Sequence, residues 1–150
     1  NRIKNFGYVS RMDNLQAAVL NYRLKNLKNI ITKRRKNFKL YKKFLDKNYV
    51  FIPDEKKYQY NSYHTLVIQV NKRNQLKDYL QKNNITTAIH YPIPIHLQPA
   101  AKHLKYKKGS LSVAEMQAKK ILTLPINQFL KKSEIKLISD KINYFYIKNL

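Results

Sequence analysis

The 150-residue sequence contains no cysteine and only two glycines, Gly7 and Gly109. The lack of cysteine excludes disulfides, thiolate zinc sites and a cysteine nucleophile. Two isolated glycines cannot build a P-loop or a GxGxxG turn, because both motifs need several glycines to bring the backbone against phosphate. There is no apolar run near the roughly 20 residues that span a bilayer, and residues 1–7 lack the apolar core of an export signal. We therefore expect a cytoplasmic location and no membrane contact.

Acidic residues are also scarce: 8 Asp plus Glu stand against 31 Lys plus Arg, a formal net charge of +23. Such a balance points first to a nucleic-acid partner. However, only six of the cations are Arg, the residue suited to bidentate phosphate and guanine contacts. The lysines of residues 25–47 point in several directions around a predicted helix, whereas an RNA-binding surface concentrates its cations. A basic nucleic-acid-binding module is kept as an alternative that we do not favour.

The residues that are abundant suffice for a folded domain, since 43% are hydrophobic and 12% aromatic. Residues 13–45 contain no Gly or Pro and place apolar side chains at helical spacing, and Asp13 with Gln16 resembles a capping box. One unbroken helix of that length would measure about 50 Å and would overhang a compact domain. We expect it to break near residues 26–29 and to pack on a body outside this chain.

The remainder of the chain alternates predicted strands and helices. The predicted elements are a strand at 63–70, a helix at 73–82, a strand at 86–90, a helix at 112–121 and a helix at 133–147. Ser112 and Glu115 have capping-box spacing, and Pro125 helps to end the helix that they open. The final helix is predicted to turn Ile135, Ile138, Ile142 and Phe145 inward. This alternation predicts an α/β or α+β unit.

Residues 90–99, HYPIPIHLQP, are the most informative stretch. Three prolines pre-set the backbone and lower the entropy cost of holding one loop shape. Polar His90, Tyr91, His96 and Gln98 alternate with apolar residues, as in a rigid loop that packs one side and presents the other. A proline-stiffened connection with incidental histidines is the alternative. A metal site is disfavoured, because two histidines without a nearby carboxylate or thiol supply too few ligands.

A second stretch, residues 7–18, joins a glycine and Ser10-Arg11 to the start of the first predicted helix. This arrangement can present hydrogen-bond donors and positive charge to a phosphate. An ordinary helix N-cap with a solvated arginine is the alternative. The basic run at residues 33–36 is predicted to be a solvated helix face, with a nucleic-acid patch as the other interpretation.

Taken together, these stretches resemble the DegT/DnrJ/EryC1/StrS family of sugar aminotransferases, which are fold-type-I enzymes dependent on pyridoxal phosphate. Residues 7–18 match its GxNxRxDxxQAA pattern, and residues 84–99 match its GIxTxxHYPxPxHxQP pattern. Residues 73–76 match an RxxL helix, while residues 111–115 and 124–126 are similar to an FPxAE helix and the leucine-proline stop that follows it. The matches occur in the family's order over nearly the whole chain.

The resemblance implies a C-terminal portion of such an enzyme. Residues 1–24 would be the end of the large cofactor domain and the start of a long interdomain helix. Residues 25–150 would be the C-terminal small domain, an α+β unit within the α/β class, with a small, mainly antiparallel sheet packed with helices. The family's Schiff-base lysine would lie upstream of this segment, so we assign no catalytic residue and expect the segment alone to be inactive.

The resemblance also implies a set of site residues in a homodimer. Ser10 and Arg11 would reach the partner subunit and bind the phosphate region of the cofactor. The implied substrate-binding residues, at the entrance for a nucleotide sugar, are Tyr8, His90, Tyr91, His96 and Gln98.

Two positions depart from the family pattern. Val9 replaces the usual Asn, so its side chain cannot donate a hydrogen bond to the cofactor phosphate. Asn84 replaces the usual Gly. Asn is the residue that next best tolerates a positive φ, so we expect the turn at residue 84 to be retained.

The resemblance further implies the reaction: an amino group passes from an amino acid such as glutamate to a keto group of a nucleotide-linked deoxysugar, in polysaccharide biosynthesis. Pyridoxal phosphate would act as the electron sink. The alternative is a sugar dehydratase on the same scaffold, dependent on pyridoxal or pyridoxamine phosphate. A lysine at the upstream Schiff-base position predicts the aminotransferase, and a histidine there predicts the dehydratase.

Overall fold

The computed structural model describes residues 2–5, 7 and 11–148 of the chain. Two helices come first, α1 (Asn14–Leu24) and α2 (Leu27–Phe44). Asn26, between them, leaves helical geometry with φ −109° and ψ 4°. The predicted break in the long helix is therefore confirmed.

The start of α1 differs from the prediction in one respect. Asp13 is the N-cap residue, but among the described residues its carboxylate makes no capping hydrogen bond, so the predicted capping box with Gln16 is wrong. The carboxylate instead lies 3.3 Å from Nε of Arg11.

Three antiparallel strands form one sheet: β1 (Val50–Phe51), β2 (Leu66–Val70) and β3 (Ile121–Leu124), with β2 in the middle. The predicted strand at 63–70 is confirmed over its second part. In the β2–β3 register Ile68 faces Leu122, and both side chains are fully buried. The short β1 was not predicted, because two residues carry too little periodicity to be seen in a sequence.

The segment predicted as a strand at 86–90 forms only one bridge, so that prediction is wrong. The Ala88 amide donates to Thr123 O at 3.1 Å, and the Thr123 amide donates to Ala88 O at 2.8 Å. Asn84 and Tyr91, on either side, both have positive φ, 59° and 58°. Pairing of this segment with β3 is limited to Ala88, and the backbone turns away at Tyr91.

Helix α3 (Arg73–Lys82) has the predicted bounds and a well-formed end. The amide of Asn84 donates to Gln81 O at 3.0 Å, and the amide of Ile85 donates to Leu80 O at 2.9 Å. With Asn84 in the left-handed region, these bonds make a Schellman motif. The turn expected at Asn84 is confirmed.

Helix α4 (Ser112–Lys120) starts where predicted, but not with the predicted capping box. Leu111 is the N-cap residue and, within the described chain, no side chain caps the helix. Glu115 has other partners, described below. The helix also stops one residue early, because residues 121–124 pair with β2. Residues 121–124 are therefore more stable as a strand paired with β2 than as a further turn of α4.

Helix α5 (Lys132–Lys148) completes the core. It packs on α2 and α3, and its four predicted inward residues are all buried. From α2, the Tyr41 hydroxyl donates to Pro125 O at 2.8 Å, and burial raises the pKa of that hydroxyl. The expected α+β architecture, a small antiparallel sheet packed with helices after a long helical segment, is confirmed.

The basic run at residues 33–36 is not uniformly solvated. Lys33 and Lys36 are exposed as predicted, but Arg34 and Arg35 are partly buried. Nη1 of Arg34 donates to three carbonyl oxygens at 3.0 Å, those of Tyr63, His64 and Ile126. Arg35 makes a bidentate pair with Glu55 at 2.7 Å. These acceptors lie 20 to 92 residues away, so local sequence does not reveal them.

None of the helices in the part of the chain that the structure describes is long and apolar enough to cross a membrane.

Candidate functional site

The proline-rich loop of residues 90–99 turns two of its polar side chains inward. His96 and Gln98 are 7% and 5% exposed, although both side chains are polar. A short 3₁₀ turn (Ile95–Leu97) after Pro94 directs them into the chain. Buried polar groups need hydrogen-bond partners, and both side chains have them.

His96 is paired with Glu115 of α4. Its Nε2 lies 3.0 Å from Oε1 of Glu115, and the Gly109 amide donates to the same oxygen at 2.7 Å. The hydrogen bond to His96 lowers the pKa of the Glu115 carboxyl. The ring of Tyr106 stands edge-on to His96 at 6.2 Å between centroids. Glu115 thus joins the segment around Gly109 to the proline-rich loop.

Gln98 attaches the start of the chain to the same loop. The Ile3 amide donates to Oε1 of Gln98 at 3.0 Å, and the Ala100 amide donates to Ile3 O at 2.9 Å. Nε2 of Gln98 also donates to Ile93 O at 3.2 Å, within the loop. One buried amide therefore fixes both the loop and the segment that leads to residues 7–18.

His90 and Tyr91 are the two predicted site residues that the loop exposes. Tyr91 is 75% exposed and has φ 58°, a backbone conformation that costs a bulky residue about 1–3 kcal/mol. The His90 ring is held from one side, because its Nδ1 lies 2.7 Å from Oγ1 of Thr123. Its ring centroid is 6.4 Å from that of Tyr91. Strained, exposed aromatic residues on an anchored loop are typical of ligand contacts.

Arg11 lies just before α1 with its side chain 90% exposed. Its described partner is Asp13, which is itself 58% exposed, and a pair so open to water contributes little to stability. The guanidinium is therefore available to an anion near the N-terminus of α1. Tyr8 and Ser10, the other predicted residues of this stretch, lie outside the residues that the structure describes.

Two further side chains of the site were not predicted as site residues, Thr123 and Glu115. Each contacts a histidine of the loop, His90 for Thr123 and His96 for Glu115. Glu115 lies in the stretch 111–115 matched to the family's AE helix, and Thr123 directly precedes the matched leucine-proline stop at 124–126. Their place in or beside a stretch matched to the family was the signal in the sequence that could have identified these two residues. Within the described part of the chain, no group of three or more His, Cys, Asp or Glu side chains is placed to hold a metal ion.

A sequence model of the DegT/DnrJ/EryC1/StrS aminotransferase family matches residues 1–143. A protein of Geobacillus stearothermophilus named "Pleiotropic regulatory protein" is 36% identical over 143 residues, which are 93% of this chain and 38% of that protein. A dTDP-3-amino-3,6-dideoxy-alpha-D-galactopyranose transaminase of Aneurinibacillus thermoaerophilus is 29% identical over 139 residues, again 93% and 38%. The chain spans little more than a third of the length of these curated relatives.

Among solved structures, S. venezuelae DesV in complex with a ketimine intermediate superposes with a TM-score of 0.85. It is 30% identical, and the match covers 93% of this chain and 38% of that chain. The loop, sheet and helices described above thus share the fold of a segment of that larger structure.

Proposed function

We propose a function from the premise that this chain belongs to the DegT/DnrJ/EryC1/StrS aminotransferase family. The chain is the C-terminal part of an enzyme that transfers an amino group from an amino acid to a keto group of a nucleotide-linked deoxysugar. The observation that carries this proposal is the anchored loop, which presents His90 and strained Tyr91. The dTDP-sugar transaminase of A. thermoaerophilus, which matches over 93% of this chain, supports the substrate class.

The cofactor of the complete enzyme is proposed to be pyridoxal phosphate, as the family resemblance implies. When bound, it supplies an electron sink for the transfer. The residues present fit its phosphate: Arg11 is exposed and precedes a helix N-terminus, where donors and partial positive charge favour an anion. Ser10 would add a hydroxyl donor. We propose that both residues act in the active site of the partner subunit of a homodimer.

The division into domains is proposed at residue 24. Helix α1, which the structure describes in full, has no buried side chain. Its exposed apolar residues include Leu15 and Tyr22, each 76% exposed, and Leu24 at 64%. Large apolar side chains exposed at this density, here on more than one side of a short helix, normally pack on another body. Residues 1–24 would therefore end the large cofactor domain, and residues 25–150 would form the small domain.

The five proposed substrate-binding residues divide into two roles. His90 and Tyr91 would contact the nucleotide sugar from the exposed side of the loop, with Tyr8 approaching from the other stretch. His96 and Gln98 would act from within, because their side chains are buried and paired with Glu115 and with the Ile3 amide. The sugar dehydratase remains the alternative within the same scaffold.

The experiment that tests the function uses the protein that contains this chain together with its upstream region. With pyridoxal phosphate and glutamate, it is expected to aminate a nucleotide-linked keto sugar. Arg11→Ala and His90→Ala are expected to lower kcat/KM by about tenfold or more, because each removes a charged or donor group from a bound anion. Lys33→Ala, an exposed cation elsewhere, is the control. Turnover that is equal in all variants would contradict the assignment, and water elimination without amination would favour the dehydratase.

A further inference from the structure

Thr123 is the point at which β3 holds the proline-rich loop. Its backbone makes both hydrogen bonds of the bridge to Ala88, and its side-chain oxygen lies 2.7 Å from Nδ1 of His90. The side chain of Thr123 is buried, with the whole residue 8% exposed, whereas His90 is exposed. The strand therefore holds the Nδ1 edge of the imidazole ring of an otherwise exposed residue.

The direction of this hydrogen bond follows from the buried hydroxyl. Within the described chain, Nδ1 of His90 is the only hydrogen-bond partner of the Thr123 hydroxyl. If Nδ1–H donated to the oxygen, the hydroxyl hydrogen would stay buried without an acceptor. Buried donors without acceptors cost free energy and are rare in folded proteins. If the hydroxyl donates to Nδ1, both groups are satisfied. Neutral His90 then carries its proton on Nε2.

We propose that Thr123 is a positioning residue that fixes His90 in the Nε2–H tautomer, so that the loop presents a hydrogen-bond donor to the phosphate groups of a nucleotide sugar. This inference rests on the proposed function for the identity of the ligand, but not for the tautomer. An anionic phosphate oxygen accepts hydrogen bonds, and a donor that is already oriented loses less entropy on binding than a freely rotating one. A bare Nε2 would instead repel the phosphate oxygen.

The short backbone bridge explains why a side-chain contact is needed here. Ala88 is the one residue of the predicted strand 86–90 that pairs with β3, and the backbone turns at Tyr91 with φ 58°. His90 therefore lies beyond the ladder and before a strained turn. The hydrogen bond with the Thr123 hydroxyl therefore holds the His90 ring, which backbone pairing does not reach.

The first measurement is the ¹⁵N NMR spectrum of histidine-labelled protein, with the His90 signals assigned from the His90→Gln variant. The wild type is expected to show a protonated Nε2 and an unprotonated Nδ1. Thr123→Val keeps the side-chain shape but lacks the hydroxyl, so both tautomers are expected to be populated; Thr123→Ser is expected to restore the single one. A protonated Nδ1 in the neutral wild-type ring would overturn the proposal. This measurement does not depend on turnover.

The second measurement uses dTDP as a probe and then the amination reaction. The expected effect of Thr123→Val is a weakening of dTDP binding and a rise in the KM for the nucleotide sugar, both of about threefold or more, because the donor tautomer and its orientation are then only partly populated. We expect kcat and the KM for glutamate to stay within about twofold, and Thr123→Ser to recover most of the affinity. Unchanged dTDP affinity in Thr123→Val would overturn the proposal, as would equal losses for both substrates. If the wild type aminates no sugar but the tautomer and dTDP results hold, the proposed function fails and the role of Thr123 stands.

Discussion

Asn84 is a single residue on which the shape of the loop entrance depends. It takes φ 59° directly after α3 and lets the Ile85 amide close the Schellman motif. Asparagine tolerates this left-handed conformation better than other residues with a side chain, although less well than glycine. The sequence therefore contained enough information to predict the turn, even with the family's glycine replaced.

Substitution of Asn84 tests this backbone requirement. Asn84→Ala is expected to lower the free energy of unfolding by about 1 kcal/mol, because alanine pays the steric cost of a positive φ without the local hydrogen bonding of asparagine. Asn84→Gly is expected to be neutral or slightly stabilising. Urea denaturation of the three proteins measures the difference. Equal stability of the alanine and glycine variants would contradict the assigned turn.

Glu55 is a second residue whose environment has a measurable consequence. Its carboxylate accepts two hydrogen bonds from Arg35 and one from the Asn61 amide. Chiefly because of the Arg35 hydrogen bond, the pKa of Glu55 falls from 4.5 to about 2. The unfolded chain therefore binds this proton at higher pH than the folded chain does. The stabilising effect is complete above pH 4.5 and is lost as the pH falls toward 2.

Glu55→Gln is expected to make the unfolding midpoint in urea less sensitive to pH between 4.5 and 2, because the variant has no carboxylate to protonate. It is also expected to be less stable than the wild type at pH 7, since Arg35 loses its charged partner. Asp140→Asn serves as the control, because Asp140 pairs with Lys136 on the exposed surface of α5. Identical pH profiles for wild type and Glu55→Gln would show that the Arg35 pair does not govern acid stability.

At the scale of elements, the sequence predicted helices better than the edges of the sheet. Helices α3 and α5 have repeated apolar spacing over ten or more residues, and both were located to within one residue. Strand β1 is two residues long, and β3 follows α4 without an intervening loop. Both strands depend on pairing with β2, which is a contact between distant parts of the chain. The local spacing of apolar residues does not reveal such pairing.

The packing of α5 can be tested with two isoleucines on opposite faces of the same helix. Ile142 is fully buried, whereas Ile147 is 63% exposed. Ile142→Ala is expected to lower the free energy of unfolding by about 2–5 kcal/mol, because it leaves a cavity where α5 meets the core. Ile147→Ala is expected to change it by less than about 0.5 kcal/mol. Urea denaturation distinguishes the two, and similar losses would contradict the packing.

The candidate site shows the same division between local and distant information. The loop of residues 90–99 and its polar residues were visible in the sequence. The inward orientation of His96 and Gln98 was not, because their partners are Glu115 and the backbone of Ile3, 19 and 95 residues away. Thr123 was missed for the same reason, 33 residues from His90. The sequence revealed which stretches form the site, while the fold separates contact residues from those that position them.

At the scale of the whole molecule, part of the high positive charge serves the fold. Two of the six arginines, Arg34 and Arg35, bind carbonyl groups and Glu55 within the domain. The exposed Arg11 is the cation that lies beside a helix start in a family-matched stretch. The chain covers 38% of the length of two curated relatives. Under the proposed function, catalysis belongs to a larger protein to which this chain contributes loops and an apolar helix.

The central claim is tested most directly by transfer of a labelled amino group. Protein that contains this chain and its upstream region is incubated with pyridoxal phosphate, ¹⁵N-glutamate and nucleotide-linked keto sugars, and the sugar products are analysed by mass spectrometry. We expect ¹⁵N in the sugar product of the longer protein and none with the 150-residue chain alone. It would be contradicted if the longer protein, loaded with cofactor, transferred no label to any keto sugar, or if the 150-residue chain alone transferred it.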